Sequence, residues 1–347
     1  MKKNLFEPKN HIQNLSSKKY YMNLVLLRST IEKECDNYFH KLGAPKVDLY
    51  LFSNSVSSPI ALGSDSKAID FHLDGKAYYL ADSSQFGMEP LLINSFDMVY
   101  CYLPSFRGEN PDNRHLNQFY HCEAEMRGDY GRAISIAENL VKHLTKSVIR
   151  GLERGNFRFA QIPNPSDLER ICSNKFLRIT FDDAIKLLEN GGYGNLIEYK
   201  KFGRVLTSRA ENMINKLINN NKLPIWVTNY DKDTVAFYQK PDPKDNTKAL
   251  NADLLVPSLS KNGIGGEILG LGERQNQTKS IIESIKRQNI NNKGQYDWYI
   301  KLRKNPKYRT TSGFGMGIER YISWILGLNS LADSSLYPVI KGAKTTY

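Results

Sequence analysis

Long apolar runs are missing from this chain, and so are most of the devices that hold small or exported proteins together. No stretch approaches the roughly 20 consecutive apolar residues of a membrane-spanning helix. The opening "MKKNLFEPKN" turns polar where a signal peptide needs its apolar core. The four cysteines among 347 residues, Cys35, Cys101, Cys122 and Cys172, form no C-x-x-C pair. Neither a zinc site nor a disulfide framework is therefore expected, and a reducing cytoplasm is the default. Like-charge blocks are also lacking: 48 Lys and Arg against 36 Asp and Glu leave a formal charge of +12, scattered along the chain. Such an excess suits nucleic acid or a phosphorylated ligand without marking a dedicated surface. With no internal repeat and no long linker, one domain with a substantial core is expected.

What is present is a legible order of elements. Residues 21–42 place Leu24, Leu27, Ile31, Cys35, Tyr38 and Leu42 on a helical period that stops at Gly43. "KVDLYLF", "AIDFHL" and "KAYYLA" alternate like strands, as do "DMVYCYL" and "QFYHCEAEM" on either side of the charged stretch "FRGENPDNRHLNQF". Connections this short require a largely antiparallel sheet. Helices are expected over 133–153 and in "TFDDAIKLLENGG", which has a Thr cap and a Gly stop. Residues 155–165 and 218–224 read as connectors. Strands return with "PIWVTNY", "TVAFYQK", "ADLLVP" and the glycine-rich "GIGGEILGLGERQ", followed by a helix over 278–288, the strand "SGFGMG" and the helix "IERYISWILGL". This order favours an α+β fold.

Two segments carry chemistry. In "GFGMG", period two puts Gly313, Gly315 and Gly317 on one strand face, which a flat ligand or a packed neighbour can approach closely. Arg320 falls in the first turn of the next helix, off the apolar stripe of Ile318, Tyr321, Ile322, Ile325 and Leu326, where a cation beside free N–H groups suits phosphate. In the charged stretch, Arg107 and Glu109 before the turn and Phe119 after it set a guanidinium, a carboxylate and a ring over a shared surface. Guanidinium binds phosphate oxygens bidentately and an aromatic face stacks on a base. Alone, this stretch reads equally well as a hairpin with surface ion pairs. Together with the glycine strand it suggests an ATP site.

"FRGENPDNRHLNQFYHCEAEM" resembles motif 2 of the class II aminoacyl-tRNA synthetases, and "GFGMGIERYISWILGLNSLADSSLYP" resembles motif 3, in the asparaginyl and aspartyl branch. "PIWVTNYDKDTVAFYQK", "ADLLVP", "GGEILGLGERQ" and "WYIKLRK" extend the resemblance in the same order. It implies an α+β synthetase core over residues 21–347, an antiparallel sheet of six to seven strands flanked by helices, with residues 1–20 as an extension. The first long helix matches the motif 1 region, which implies a homodimer. Arg107 matches the motif 2 arginine on the α-phosphate and the reacting carboxylate, and Glu109 its acidic neighbour near the adenine amino group. Arg114 and His115 match the pair reaching the terminal phosphates, Phe119 the ring under adenine, and Arg320 the motif 3 arginine covering the nucleotide from the other side. Arg107 and Arg320 are thus the implied catalytic pair, and Asp253 and Glu267 resemble the carboxylates that hold magnesium. Attack of a carboxylate on the α-phosphorus needs in-line positioning and charge neutralisation, not a protein nucleophile.

For the amino acid, "DSSQFGME" resembles the family's pocket strand. Gln85 would meet the α-amino end, Glu89 matches the acid of the asparaginyl pattern, and Met88 stands where aspartyl enzymes have lysine. Arg274 matches the arginine that grips a carboxylate or amide. An aspartate- or asparagine-like substrate is implied.

The chain also departs from the family. The expected domain organisation lacks the N-terminal anticodon-binding OB barrel. Thr310 and Thr311 replace "P-H", Leu271 and Gly272 replace a glycine and a serine, Val339 replaces an arginine, and Gln118 stands where glutamate is usual. "LGSDSKAID", around Ser64 and Asp65, does not resemble the substrate-closing loop. These departures favour an AMP-forming ligase that uses ATP and Mg2+ to activate the amino acid and passes the acyl group to ammonia or a small amine, like asparagine synthetases built on a synthetase core. A truncated asparaginyl-tRNA synthetase, with tRNA as a less favoured acceptor, and a non-catalytic sensor are the alternatives. A cytoplasmic protein without membrane association is expected.

Overall fold

A computed structural model describes residues 5–59, 67–160, 162–291 and 293–343. The chain begins with helices α1 (His11–Ser17) and α2 (Lys19–Lys41), a small sheet of β1 (Phe52–Ser53), β2 (Asp70–Leu73) and β3 (Lys76–Leu80), and helix α3 (Gln85–Ile93). The hairpin strands β4 (Met98–Phe106) and β5 (Gln118–Arg127) lead into α4 (Tyr130–Glu153) and α5 (Pro165–Ser173). Next come β6 (Leu177–Thr180), α6 (Phe181–Asn190), the hairpin β7 (Ile197–Lys200) and β8 (Gly203–Leu206), and α7 (Ser208–Asn219). The chain closes with β9 (Ile225–Thr228), β10 (Asn251–Val256), β11 (Gly266–Glu273), α8 (Thr278–Arg287), α9 (Asp297–Leu302), β12 (Thr311–Gly317) and α10 (Ile318–Ile325).

Seven strands form the main sheet in the order β4-β5-β12-β11-β10-β9-β6. Every pair is antiparallel except β6 with β9, which the intervening α6 and α7 make parallel by supplying the long return that such a pair needs. Period two then divides the sheet into two unlike faces. One carries Cys122, Ala124 and Met126, Phe314 and Met316, Leu269 and Leu271, Ala252 and Leu254, and Trp226, all buried in one core with the apolar stripes of α2, α4 and α10. Each large apolar side chain buried there contributes about 1.5–3 kcal/mol. The other face carries Phe119, His121, Glu123 and Glu125 on β5, opposite Gly317, Gly315 and Gly313 on β12. Gly270 and Gly272 on β11 continue that face, and Asp253 on β10 pairs with Gly270. Glycines at the centre and acids beside them leave this side open for chemistry.

Several expectations need correction. The buried stripe of α2 runs Leu24, Leu27, Ile31, Cys35 and ends on Phe39, stacked on Tyr100 at 4.3 Å, while Leu42 lies past the last turn and is exposed. "KVDLYLF" supplies only Phe52 to a strand, plus a bridge from Lys46 to Tyr100. "TVAFYQK" is not a strand: Phe237 and Tyr238 are consecutive and both buried, which period two forbids at a half-exposed edge, and they pack among Phe86, Tyr296 and Tyr299. Gln85 and Glu89 sit on helix α3 instead of a strand. The described part of the N-terminal extension belongs to the packed body, with Phe6 and His11 buried and the Phe6 N–H donating to Asp333 Oδ1 at 2.7 Å. Ser64 and Asp65 lie outside the described residues. Among the described residues no helix is long and apolar enough to cross a membrane.

Candidate active site

The loop between β4 and β5 is held by a buried asparagine. Asn117 Nδ2 donates to the carbonyls of Arg107 (2.8 Å) and Glu109 (2.9 Å), and the Arg107 N–H donates to Asn117 O at 3.0 Å. Asp112 Oδ1 accepts the Arg114 N–H at 2.7 Å and lies 2.8 Å from His115 Nδ1. A charged loop that would otherwise be mobile is thereby tied at both stems.

Arg107, Glu109, Arg114, His115, Phe119, Glu267 and Arg320 all line one cleft, whose floor includes Gly315 and Gly317. The Arg107 guanidinium lies 5.3 Å from the centroid of the Phe119 ring. Arg320 Nη1 lies 2.9 Å from Glu267 Oε2, and its Nη2 is 3.3 Å from His115 Nε2. Arg114 Nη2 donates to Glu211 Oε2 at 3.0 Å. Half-buried His121 is pushed well below the ordinary histidine range by desolvation and by Arg107 and Arg320, so it is neutral, with Nδ1 2.9 Å from Ser105 Oγ. Arg107 Nε, Arg114 Nε and Nη1, and Glu109 Oε2 are buried without a hydrogen-bond partner among the described residues. Buried polar groups are nearly always satisfied. Three guanidinium donors and one carboxylate acceptor left unmatched around an aromatic ring are what a nucleotide with its phosphates would satisfy.

The two acids expected to hold magnesium come together through a bulge. Regular alternation from Gly270 would set Glu267 on the opposite face, but the register slips between Leu254 and Leu255, so that Leu255 pairs with Glu267 and the side chain shares Asp253's face. A β-carbon built on Gly270 would lie 3.2 Å from Asp253 Oδ1 and 3.6 Å from Glu267 Oε1. Burial, then Glu267 and Glu211, push Asp253 well above the ordinary carboxylate value. Burial pushes Glu267 the same way, yet Arg320 and Arg114 outweigh it and hold Glu267 below that value. Two carboxyl groups crowded this closely, one raised partly by the charge of the other, are a pair whose repulsion a hard divalent cation would relieve. No group of three possible ligands occurs among the described residues.

Farther along the same face, Arg274 donates from Nη2 to Glu125 Oε1 and from Nε to Glu125 Oε2 at 3.3 Å, both side chains being buried. The Arg274 guanidinium lies 5.2 Å from the Tyr238 ring centroid. Glu125 covers Gly313, where a β-carbon would collide with its carboxylate, so only the lower part of the glycine face is bare. Glu123 accepts from Ser83 Oγ and the Ser84 N–H, both at 2.6 Å, and so anchors the entry to α3. Gln85 is buried there with Nε2 unmatched. Glu89 is a correction: Tyr299 OH (2.6 Å) and Arg303 Nη2 (2.7 Å) take its two oxygens, and its side chain has 0% exposure. Both oxygens therefore face internal partners, and none of the side chain is exposed toward a substrate.

Sequence reasoning missed Glu125, Gln239 and Glu319. Glu125 had a signal, since residues 119, 121, 123 and 125 alternate onto Phe119's face. Glu319 lay beside Arg320 in the quoted motif, while Gln239 had no periodic signal because its segment is irregular.

An antiparallel sheet with a glycine-centred acidic face, a cleft of unmatched arginine donors and a buried carboxylate pair define a nucleotide-binding α+β enzyme. Over residues 5–341 the chain matches the family of class II tRNA synthetases (D, K and N) and belongs to it. It is 29% identical over 320 residues to the asparagine–tRNA ligase of Thermoplasma acidophilum, covering 92% of this chain and 69% of that protein. With the Clostridium tetani asparagine–tRNA ligase it shares 32% identity over 287 residues, 80% of this chain and 59% of the other. Its fold superposes on Pyrococcus horikoshii asparaginyl-tRNA synthetase complexed with asparaginyl-adenylate, with a TM-score of 0.84, 24% identity, and coverage of 97% of this chain and 73% of that one. Entamoeba histolytica aspartyl-tRNA synthetase gives a TM-score of 0.74 at 19% identity, covering 96% and 61%.

Proposed function

We propose that this chain activates an asparagine-like amino acid with ATP, forming an aminoacyl-adenylate and pyrophosphate. The observation that carries the proposal is the set of unmatched donors on Arg107 and Arg114 around Phe119 and the bare Gly315–Gly317 strand. Adenine stacks on Phe119 with its amino group at Glu109, Arg107 holds the α-phosphate and the reacting carboxylate, and Arg114, His115 and Arg320 take the remaining phosphate oxygens. The carboxylate oxygen attacks the α-phosphorus in line, and the bond to the departing pyrophosphate breaks; the arginines neutralise the growing charge. Asp253 and Glu267 would hold Mg2+, which supplies further charge neutralisation on the phosphates.

At the amino-acid end, Arg274 and Glu125 form a pair that is neutral overall when ionised. Such a pair suits a neutral side-chain amide, which accepts from one partner and donates to the other. An anionic side chain would meet a cation already compensated. This supports asparagine over aspartate, with Gln85 at the α-amino end and Glu89 supporting α3 from behind.

Two acceptors for the acyl group have support. The named relatives are asparagine–tRNA ligases and the chain is strongly basic, which supports the 3′ end of a tRNA. Ammonia or a small amine has the support of the changes at Leu271, Gly272, Thr310 and Thr311 around the acyl end. A homodimer is proposed through α2, whose outer face exposes Met22, Val25 and Leu26.

Pyrophosphate exchange with a panel of amino acids tests the first step, followed by mass analysis of products with tRNA, ammonium or hydroxylamine. Exchange with asparagine is expected; absence of exchange with every amino acid would overturn the proposal. Charged tRNA as sole product would remove the amide-ligase reading, and amide formed without tRNA would remove the other.

A further inference from the structure

We infer that Gln239 is a specificity-determining residue: its side-chain amide closes the amino-acid end of the cleft over Gly272 and restricts the pocket to a short, amide-bearing amino acid. The inference rests on the adenylation reading above and adds to it the residue that sets substrate length.

The geometry begins with two glycines. Gly272 on β11 and Gly313 on β12 are paired residues of neighbouring strands on the cleft side of the sheet. A β-carbon at Gly313 would collide with the Glu125 carboxylate, and a β-carbon at Gly272 would collide with the Gln239 amide. The two bare backbones are thus roofed by a carboxylate and an amide side by side. Arg274, two residues beyond Gly272, bonds that carboxylate.

Gln239 reaches this place because its backbone is pinned on both sides. Its own N–H donates to Ala236 O at 2.9 Å, the Lys240 N–H to Glu273 O at 2.9 Å, and the Gln275 N–H to Tyr238 O at 2.8 Å. An isolated bridge joins Gln239 to Arg274. The irregular segment is therefore locked across the end of β11, and a long polar side chain at this position is delivered over the strand.

Its Oε1 is buried and has no partner among the described residues, and Gln85 Nε2 is equally unmatched. One is an acceptor and the other a donor. Leaving either unmet is costly, and a substrate with an N–H to give and an oxygen to receive removes both costs. Asparagine has such groups at both ends. A side chain longer by one methylene would press on the roof formed by Gln239 and Glu125.

The same contact links Gln239 to the departure at Gly272, where the resembled motif has serine. A side chain at 272 and the amide of Gln239 compete for one space, so a residue there displaces the amide from over β11 and couples the two positions.

Four proteins test this: the wild type, Gln239→Ala, Gly272→Ser, and the double variant, each measured by pyrophosphate exchange with asparagine, glutamine and aspartate, and each checked for unchanged thermal unfolding. Gln239→Ala is expected to raise the KM for asparagine about two- to tenfold, the worth of a net hydrogen bond, to leave the KM for ATP unchanged, and to gain exchange with glutamine. Gly272→Ser is expected to lose exchange, and Gln239→Ala added to it to recover part. An unchanged asparagine KM and selectivity in Gln239→Ala would overturn the inference, as would a folded double variant no better than Gly272→Ser. Should Gly272→Ser unfold, Gln239→Ala alone and Gln239→Glu, which replaces the amide by a charge and is expected to abolish asparagine exchange, decide the matter. Wild-type exchange with these failures overturns only the role of Gln239; no wild-type exchange overturns the adenylation reading with it.

Discussion

Arg28, on α2, places Nη1 2.9 Å from Glu319 Oε1, and the second oxygen of Glu319 accepts the Tyr120 N–H at 2.8 Å. One buried carboxylate therefore ties α2 to β5 and to the first turn of α10, next to Phe119 and Arg320. Removing one partner of a buried pair strands the other charge, at a cost of about 3–5 kcal/mol. Arg28→Ala is expected to lower the unfolding free energy by roughly that amount and to raise the KM for ATP. Urea unfolding and exchange kinetics check both effects, and a variant with unchanged stability would show that the pair is not structural.

Phe119 is expected to act through its ring face. Stacking on a base is worth about 1–3 kcal/mol, so Phe119→Ala should raise the KM for ATP on the order of tenfold or more, while Phe119→Tyr keeps it near the wild-type value. The KM for the amino acid should move little. Equal losses for both substrates would instead indicate a general disturbance of the cleft.

Burial pushes the Glu125 carboxyl up to about 7, against the pull of Arg274. Above that pH the pair is ionised and neutral overall. Below it Glu125 takes up a proton, and the Arg274 charge is left to attract an anion. The ratio of exchange with asparagine to exchange with aspartate should therefore fall as pH is lowered through about 7. Glu125→Gln should give a low ratio that no longer varies with pH. A wild-type ratio that stays flat across this range would refute the assignment.

Glu89, Tyr299 and Arg303 form a closed polar unit behind Gln85, with Arg303 Nε also donating to Gln275 O at 2.9 Å. Arg303→Met leaves the Glu89 charge buried and unpaired, which costs about 3–5 kcal/mol, whereas replacing both partners by apolar groups is often neutral. The double variant Glu89→Leu and Arg303→Met should thus recover much of the stability lost in Arg303→Met, as measured by chemical denaturation. A double variant as unstable as the single one would mean that the polar unit does more than satisfy itself.

Much of this architecture was legible because it depends on local periodicity. The stripes of α2 and α10, the β4–β5 hairpin and the glycine alternation of β12 each follow from side-chain spacing along one element, whereas the grouping of Arg107 and Phe119 with Arg320 was implied only by the resemblance of their two motifs to a known family. Glu89 was misread because its partners, Tyr299 and Arg303, lie more than two hundred residues away and no spacing rule couples them. The segment holding Gln239 was misread as a strand because its aromatic and β-branched residues favour one, and the aromatic core around Phe86 and Tyr296 overrode that preference.

By itself the sequence determined the order of elements and the apolar face of the sheet, since these depend on neighbours in the chain, and its resemblance to a known family singled out Arg107, Arg114 and Arg320. Only the tertiary structure decided which charges are free to meet a substrate and which are already spent. A buried carboxylate has two oxygens, and whether one stays unmatched, as Glu109 Oε2 does, or both meet internal partners, as at Glu89, depends on what long-range packing brings beside them. The slip in register that brings Glu267 beside Asp253, and the seating of Gln239 over Gly272, were decided in the same way.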